Sequence, residues 1–215
     1  MTQRPLLLSS RYFFGSLAIF AIVTQLIIHV QHGFDLVNYF GYFTNLSNIF
    51  GAVILLVGAY TLAQQRTPSP TQELVRGAAT VAMTIVGLIW FALLRGEDLG
   101  ALLPWVNGIV HILMPIVMVV DWLVAPSWLR ITFGQVLLWL SYPLVYLIAT
   151  LLRGALTGWY PYPFLNPAKV GGAGVVALYC LGIFGVFLVV GYGAMVASNR
   201  LFRQAAYPSV AKPQR

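Results

Sequence analysis

The chain alternates between long apolar stretches and short polar breaks, and this pattern predicts membrane-spanning helices. Each apolar stretch has about 20 residues, enough for a helix to cross a hydrocarbon core of roughly 30 Å. Backbone groups find no water in hydrocarbon, so helices are expected there. The pattern predicts an all-α polytopic integral membrane protein, with one six-helix transmembrane domain over residues 1–215. Its spans are expected at about 11–30, 40–63, 74–94, 105–125, 131–152 and 171–197.

The polar breaks carry residues that begin or end helices. Pro104 is expected in the first turn of the fourth span, where its missing N–H costs nothing. The connection 153–170 is rich in Trp and Tyr, which favours a position at headgroup level. Small residues recur in the sixth span, and we expect them to form a face for close helix packing. They include Gly182, Gly185, Gly191 and Gly193.

Composition agrees with a membrane protein and predicts its orientation. The sequence is 60% hydrophobic and 8% charged, with a net charge of +7 at pH 7. Its basic residues are spread over loops and termini, so no nucleic acid partner is expected. Nine Lys and Arg residues fall on the side of the termini and three on the other. This asymmetry predicts a multi-pass protein of the cell membrane with both termini in the cytoplasm. Cys180 is the single cysteine, which excludes an internal disulfide and a cysteine-based zinc site.

The start of the second span is unusually polar. Thr44, Asn45, Ser47 and Asn48 lie within five positions of an otherwise apolar helix. In hydrocarbon, each such group needs a partner inside the protein. This stretch therefore predicts a packed polar pocket at one depth of the bundle.

A histidine in the fourth span lies at the same predicted depth. The second and fourth spans both start on the outer side, so their residues can be counted inward from one boundary. At a rise of 1.5 Å per residue, Thr44 lies roughly 6 Å and His111 roughly 9 Å below that boundary. A hydroxyl and an imidazole in one layer can form a nucleophile and its general base. Thr44 and His111 are therefore the candidate catalytic residues.

Amides near this pair are candidates for orienting the imidazole or stabilising an oxyanion. Asn107 lies one turn from His111, and Asn48 lies one turn from Thr44. Asn45 is a weaker candidate, because one helix face cannot hold the whole polar cluster. No carboxylate lies at this depth, so the orienting group is expected to be an amide, a backbone carbonyl or water. Four further side chains approach the layer from the first and fifth spans: Gln25, His29, Tyr146 and Arg153.

Several alternatives to catalysis stay open at this point. Polar groups in spanning helices often only join neighbouring helices, through hydrogen bonds worth about 0.6 kcal/mol. His29 and His111 could together ligate a haem, although no haem-attachment motif accompanies them. A zinc site at His111 would need further ligands, and none lies at its depth.

Structural or surface roles are expected for three acidic residues, Glu97, Asp98 and Asp121. Asp121 lies near the cytoplasmic end of the fourth span, where pairing with Arg130 or Arg76 is predicted. Glu97 and Asp98 are expected in an outer turn, as solvated charges or at the entrance of a site.

Three motifs, in order along the chain, resemble the androgen-induced-gene and ADTRP family of six-helix membrane proteins. The first is Phe43-Thr44-Asn45 in the second span. The second is the segment 107–115, Asn-Gly-Ile-Val-His-Ile-Leu-Met-Pro. The third is the loop 157–163, Thr-Gly-Trp-Tyr-Pro-Tyr-Pro, which is similar to that family's Gly-Trp-Tyr-Pro segment after its fifth helix. Around the histidine, Gly108 and Ile112 stand where polar residues would be expected.

The resemblance implies a function. Members of that family are threonine hydrolases that cleave esters between a fatty acid and a hydroxy fatty acid, with an intramembrane threonine as nucleophile and a histidine partner. Carried over, the nucleophile is Thr44 and the base is His111, with no cofactor or metal. The expected partner is a membrane lipid or fatty-acyl ester. A non-catalytic protein that binds or transports fatty acids is the alternative. Substrate-lining candidates are His29, Tyr42, Phe43, Trp105, Tyr146, Arg153 and Trp159.

Overall fold

The computed structural model describes residues 3–96 and 101–206, and every regular element in these ranges is helical. Six helical segments are long and apolar enough to cross a membrane, which confirms the predicted six-span fold. They are Arg4–Gln31, Phe43–Ala63, Pro70–Leu94, Pro104–Val124, Phe133–Thr157 and Ala173–Phe202. Glu97, Asp98 and the end of the basic tail lie outside the described residues.

Several spans are built from more than one helix. The first two spans and their connection are α1 (Gln3–Gln31), α2 (Leu36–Gly41) and α3 (Phe43–Ala63). The third span is α4 (Pro70–Ile89), which continues as a π turn at Trp90–Leu94. The fourth span consists of α5 (Pro104–Gly108), a π turn at Ile109–Leu113 and α6 (Met114–Val124). The fifth is α7 (Phe133–Trp139) and α8 (Ser141–Thr157). A 3-10 turn (Pro163–Leu165) and α9 (Pro167–Val170) lead to α10 (Ala173–Ala206).

The second span begins later than predicted. The backbone is extended at Tyr42, with φ −83° and ψ 126°, so α3 starts at Phe43 and the expected continuous helix from residue 40 is wrong. Before the break, the Asp35 side chain caps α2 by accepting the N–H of Val37 at 2.8 Å. The break places Thr44 in the first turn of α3 rather than inside a longer helix.

The central helix is α4, which packs against α3, α6, α7 and α10. It begins with a capping box, in which the Ser69 hydroxyl accepts the N–H of Gln72 and the Gln72 side chain accepts the N–H of Ser69. Two glycines of α4, Gly77 and Gly87, allow neighbouring helices to approach closely. A Cβ at Gly77 would overlap the ring of Trp139. Gly87 likewise faces the fourth span near the histidine.

Few residues of the sixth span are buried, and its glycines do not form the predicted packing face. A Cβ at Gly182, Gly185 or Gly193 would meet no atom within 4 Å. Gly191 alone of the four behaves as expected, since a Cβ there would lie 2.8 Å from Cγ1 of Val136. The small residues of α10 therefore lie largely on its outer surface.

A buried ionic cluster joins α1, α4 and α6. Asp121 contacts Arg11 at 2.6 Å and Arg76 at 3.2 Å, and Arg76 also contacts Glu73 at 2.8 Å. The predicted pairing of Asp121 with Arg130 or Arg76 is confirmed, and the partner of the two is Arg76. Two guanidinium groups and two carboxylates balance one another, as buried charges require.

Candidate active site

Thr44 lies at the N-terminus of α3, where the first backbone N–H groups have no acceptor within the helix. Two tyrosine hydroxyls from elsewhere in the chain accept them. Tyr146 accepts the N–H of Phe43 and Tyr162 accepts the N–H of Thr44, each at 3.2 Å. These contacts fix the start of α3 and place the buried Thr44 hydroxyl at the positive end of the helix dipole.

His111 lies in the π turn Ile109–Leu113 of the fourth span. Pro115 follows it and has no N–H to donate to the His111 carbonyl, so regular α-helical pairing is interrupted here. On the adjacent α4, Gly87 allows a close approach. A Cβ at Gly87 would lie 3.0 Å from Cβ of Pro115 and 3.4 Å from the His111 carbonyl oxygen. Gly87 and Pro115 thus allow the π turn that contains His111 to pack closely against α4.

The Thr44 hydroxyl and the His111 imidazole meet inside the bundle. Thr44 Oγ1 lies 3.3 Å from Nε2 of His111, and Nδ1 of the same ring lies 2.7 Å from Oδ1 of Asn107. An amide oxygen only accepts hydrogen bonds, so Nδ1 carries the proton of the neutral ring and Nε2 is the acceptor. A general base needs this tautomer. Thr44 and His111 are only 7% and 6% exposed, so the pair is shielded from solvent.

Trp90 also contacts the imidazole, a contact that the sequence did not predict. The two ring centroids lie 5.7 Å apart, with the planes at 21°. Trp90 opens the π turn at the end of α4. Its stacking covers one face of the imidazole and restricts rotation of the ring. No spacing or polar pattern in the sequence distinguishes it from the other aromatic residues of the spans.

Asn48 is not arranged as the oxyanion donor that the sequence suggested. Its Nδ2 donates to the carbonyl oxygens of Thr44, at 2.9 Å, and Val110, at 3.1 Å. Its Oδ1 is buried without a hydrogen-bond partner among the described residues, and an oxygen cannot donate to an oxyanion. Reversing the amide would set this oxygen against two carbonyl oxygens. Asn45 is engaged elsewhere, since its Nδ2 donates to the Tyr39 carbonyl at 2.8 Å.

Tyr162 supplies a hydroxyl beside Thr44 instead. Its oxygen lies 3.4 Å from Thr44 Oγ1, a long contact that leaves its proton available to a better acceptor. Burial raises the pKa of Tyr162 to about 12, so the group stays protonated at neutral pH. Stacking on Phe164, with centroids 5.2 Å apart and planes at 4°, holds the ring in place. The loop that contains Tyr162 carries the family resemblance, but this role was not predicted.

An apolar cavity of about 100 Å³ adjoins Thr44. Thr44, Tyr162 and the predicted Phe43 are among its lining residues. Leu144 and Phe184 line it as well and are exposed on the outer surface, so the cavity lies beneath the exposed side of α8 and α10. Its volume is below the 300–1,000 Å³ typical of ligand pockets. An acyl chain would therefore enter only after lining side chains move apart.

A second cavity, of about 380 Å³, shares Tyr146 with the first. It is lined by three of the predicted residues, Tyr146, Arg153 and Trp159, together with apolar residues of α2 and α8. The guanidinium carbon of Arg153 lies 4.3 Å from the ring centroid of Trp159. Tyr42 lines neither cavity, but it packs edge-on against Trp159, with centroids 5.7 Å apart.

Residues of the first span do not reach the Thr44 site. Nε2 of His29 lies 2.9 Å from the Asp35 carbonyl oxygen, in a partly exposed position. Gln25 is buried, but it donates to the Ala101 carbonyl at 3.0 Å. Trp105 is 43% exposed and belongs to the surface of the bundle. The predicted lining roles of His29 and Trp105 are therefore wrong for this arrangement.

The haem alternative gains no support from the ring nitrogens. Both nitrogens of His111 already have protein partners, and Nε2 of His29 is directed at a backbone carbonyl. Within residues 3–96 and 101–206, no group of three or more His, Cys, Asp and Glu side chains is placed to hold a metal ion.

Fold and site together define a six-span membrane protein with a buried threonine–histidine pair and an asparagine hydrogen-bonded to the histidine. Comparisons with protein-family models, with curated proteins and with solved structures find no match to this chain. The similarity to the androgen-induced-gene and ADTRP family therefore rests on the three motifs of the sequence.

Proposed function

We propose that this protein is an integral membrane lipid-ester hydrolase of the threonine type. The observation that carries the proposal is the buried contact from Thr44 Oγ1 to His111 at 3.3 Å, continued by the contact from His111 to the half-buried Asn107 at 2.7 Å. Helix packing alone requires neither an acceptor nitrogen turned towards a hydroxyl nor an amide that selects the tautomer. A nucleophile, its base and an orienting group require both.

In the first half of the proposed reaction, Thr44 Oγ1 attacks the carbonyl carbon of a fatty-acyl ester while Nε2 of His111 takes its proton. The carbonyl oxygen becomes an oxyanion, which accepts a hydrogen bond from the Tyr162 hydroxyl at the positive end of α3. His111 then gives the proton to the leaving alcohol, and the ester bond breaks. The product of this half is an acyl ester of Thr44 and a free alcohol.

In the second half, water replaces the alcohol. His111 takes a proton from the water as its oxygen attacks the acyl carbonyl, and Tyr162 again stabilises the oxyanion. Collapse of the intermediate returns a proton to Thr44 Oγ1 and releases a fatty acid. Asn107 keeps Nδ1 protonated throughout, so that Nε2 alone exchanges protons. The balance is ester plus water giving acid plus alcohol.

The proposed substrates are fatty acid esters of hydroxy fatty acids, as the resemblance implies. The acyl chain would occupy the apolar cavity beside Thr44 and reach it laterally, between Leu144 of α8 and Phe184 of α10. We further propose that both termini face the cytoplasm and that substrate enters from the outer leaflet. This orientation follows from the nine-to-three distribution of basic residues.

The alternative is a fatty-acid binding or transport protein without catalysis. The larger cavity beside Arg153 favours it, because that cavity is already in the size range of ligand pockets. The two functions differ in turnover. A binder retains lipid in purified form and releases no alcohol from an ester.

The test uses purified protein with a fatty acid ester of a hydroxy fatty acid and a fluorophosphonate probe. Thr44→Ala and His111→Ala should each lower ester cleavage at least about 10³-fold, and Thr44→Ala should abolish labelling. Ser47→Ala is the matched control, because this nearby hydroxyl contacts Tyr142 at 3.1 Å instead of His111. Turnover unchanged in a folded Thr44→Ala protein would exclude the proposed nucleophile.

A further inference from the structure

Arg153 differs from the fully buried arginines of the chain. Arg11 and Arg76 each contact a carboxylate oxygen of Asp121, whereas no carboxylate among the described residues contacts Arg153. Nη2 of Arg153 donates to Oδ1 of Asn38 at 2.5 Å, and Nη1 is buried with no hydrogen-bond partner in the described part of the chain. Arg153 is half-buried, and a partly desolvated charge gains from a nearby counter-ion. The guanidinium is therefore expected to receive an anion.

The cavity beside this guanidinium suits a hydrocarbon chain. Its volume of about 380 Å³ falls in the range of ligand pockets. Apart from Arg153 and a few polar groups, its lining is apolar. Val37, Phe40 and Val145 line it and are also exposed on the outer surface, so the cavity opens sideways between α2 and α8. One cation in a laterally open apolar cavity matches an amphipathic anion.

We propose that Arg153 binds the carboxylate of a long-chain fatty acid, with the hydrocarbon chain lying along Val37, Phe40 and Val145. A carboxylate is planar and carries one charge, which matches a single guanidinium whose carbon lies 4.3 Å from the ring centroid of Trp159. Because Asn38 already engages Nη2, Nη1 is the donor that remains for the carboxylate, which reaches this enclosed atom once the side chain turns towards the cavity. A phospholipid would bring a larger headgroup and two chains to the same single cation.

The carboxylate site adjoins the candidate active site. Tyr146 lines both cavities and so separates them. Its hydroxyl donates to the Gly41 carbonyl at 2.9 Å and accepts the N–H of Phe43, which holds the ring in place. In a step that rests on the proposed function, the carboxylate is that of the hydroxy fatty acid arm. Arg153 then selects esters that carry a free carboxylate over neutral esters.

Binding is tested apart from turnover, in full-length Thr44→Ala protein reconstituted in phosphatidylcholine nanodiscs. The probes are oleate and methyl oleate, each measured by displacement of a fluorescent fatty acid. Arg153→Gln should raise the Kd for oleate about tenfold and leave that for methyl oleate unchanged. Arg130→Gln, at an exposed arginine, is the matched control. Equal oleate affinity in a folded Arg153→Gln protein would overturn the proposal.

A second variant keeps the Arg153 charge and fills the cavity beside it. Ala149 lines the cavity from its exposed side, so Ala149→Trp should weaken both oleate and methyl oleate without touching Arg153. Unchanged oleate binding in this variant would also overturn the proposal. So would a wild-type protein from which phosphatidylglycerol vesicles, but not oleate, displace the fluorescent fatty acid. Failure of the proposed hydrolase function gives a different result from failure of the proposed carboxylate site. In that case Thr44-intact protein shows no ester turnover, while oleate binding still depends on Arg153.

Discussion

Thr44 Oγ1 lies 3.3 Å from Nε2 of His111, although 67 residues separate the two in the chain. The contact depends on where α3 begins. In a continuous helix from residue 40, the N–H of Thr44 would bond to a carbonyl one turn earlier. Because the backbone is extended at Tyr42, that N–H is free to reach Tyr162, which then lies beside the Thr44 hydroxyl. The helix break therefore assembles the site.

Replacing Asn107 tests how the imidazole is oriented. In Asn107→Ala, Nδ1 loses its acceptor at 2.7 Å, so the ring populates the tautomer that cannot accept the Thr44 proton. We expect kcat for ester cleavage to fall about 10²-fold with little change in KM. Asn45→Ala, which removes an amide bonded to Tyr39, should leave kcat near its original value. An unchanged kcat in Asn107→Ala would remove Asn107 from the mechanism.

The role of Tyr162 is tested by Tyr162→Phe, with Tyr146→Phe as the comparison. Both changes remove a hydroxyl that accepts a first-turn N–H of α3, but only Tyr162 contacts Thr44 Oγ1. Loss of the oxyanion donor should lower kcat about 10²- to 10³-fold, and the loss in Tyr146→Phe should be much smaller. Equal losses would indicate that both tyrosines only support the helix.

The pH profile of the wild-type enzyme gives a further test of Tyr162. Burial disfavours the phenolate and raises its pKa to about 12, so the donor proton is retained as the pH rises towards that value. No alkaline loss of kcat should come from this group in the range where a solvated tyrosine, with a pKa of about 10, ionises. An alkaline limb near pH 10 that disappears in Tyr162→Phe would contradict this assignment.

The sequence was sufficient for the spans and for the layer shared by Thr44 and His111, because hydropathy and helix rise are local properties. It was insufficient wherever a distant partner decides the local structure. The break at Tyr42 is accompanied by tyrosine hydroxyls that accept the N–H groups of Phe43 and Thr44. Asp121 pairs with Arg11 across 110 residues. The Asn48 amide is not a free donor, because the fourth span places the Val110 carbonyl against it.

Gly154 tests how firmly the loop that carries Tyr162 is seated. A Cβ at this buried position would overlap the ring of Tyr160, so Gly154→Ala must displace the loop. We expect a loss of about 1–3 kcal/mol of stability and lower ester cleavage. Gly182→Ala is the matched control on α10, where a Cβ meets no atom within 4 Å. Thermal unfolding in detergent measures both, and equal midpoints would show that the loop adapts freely.

The ionic cluster predicts a change in stability that leaves chemistry alone. Asp121→Asn removes the carboxylate that contacts both Arg11 and Arg76, and leaves Arg11 buried without a charged partner among the described residues. Breaking a buried ion pair in this way should cost about 3–5 kcal/mol. Asp121 lies roughly 15 Å along the helix from His111 at 1.5 Å per residue, so kcat per folded molecule should be retained.

Arg130→Gln is the control and should have the unfolding midpoint of the wild type, because Arg130 is exposed and forms no ion pair within the described chain. The unfolding midpoint and the kcat of each purified variant check this, and a loss of kcat in folded Asp121→Asn would link the cluster to the site.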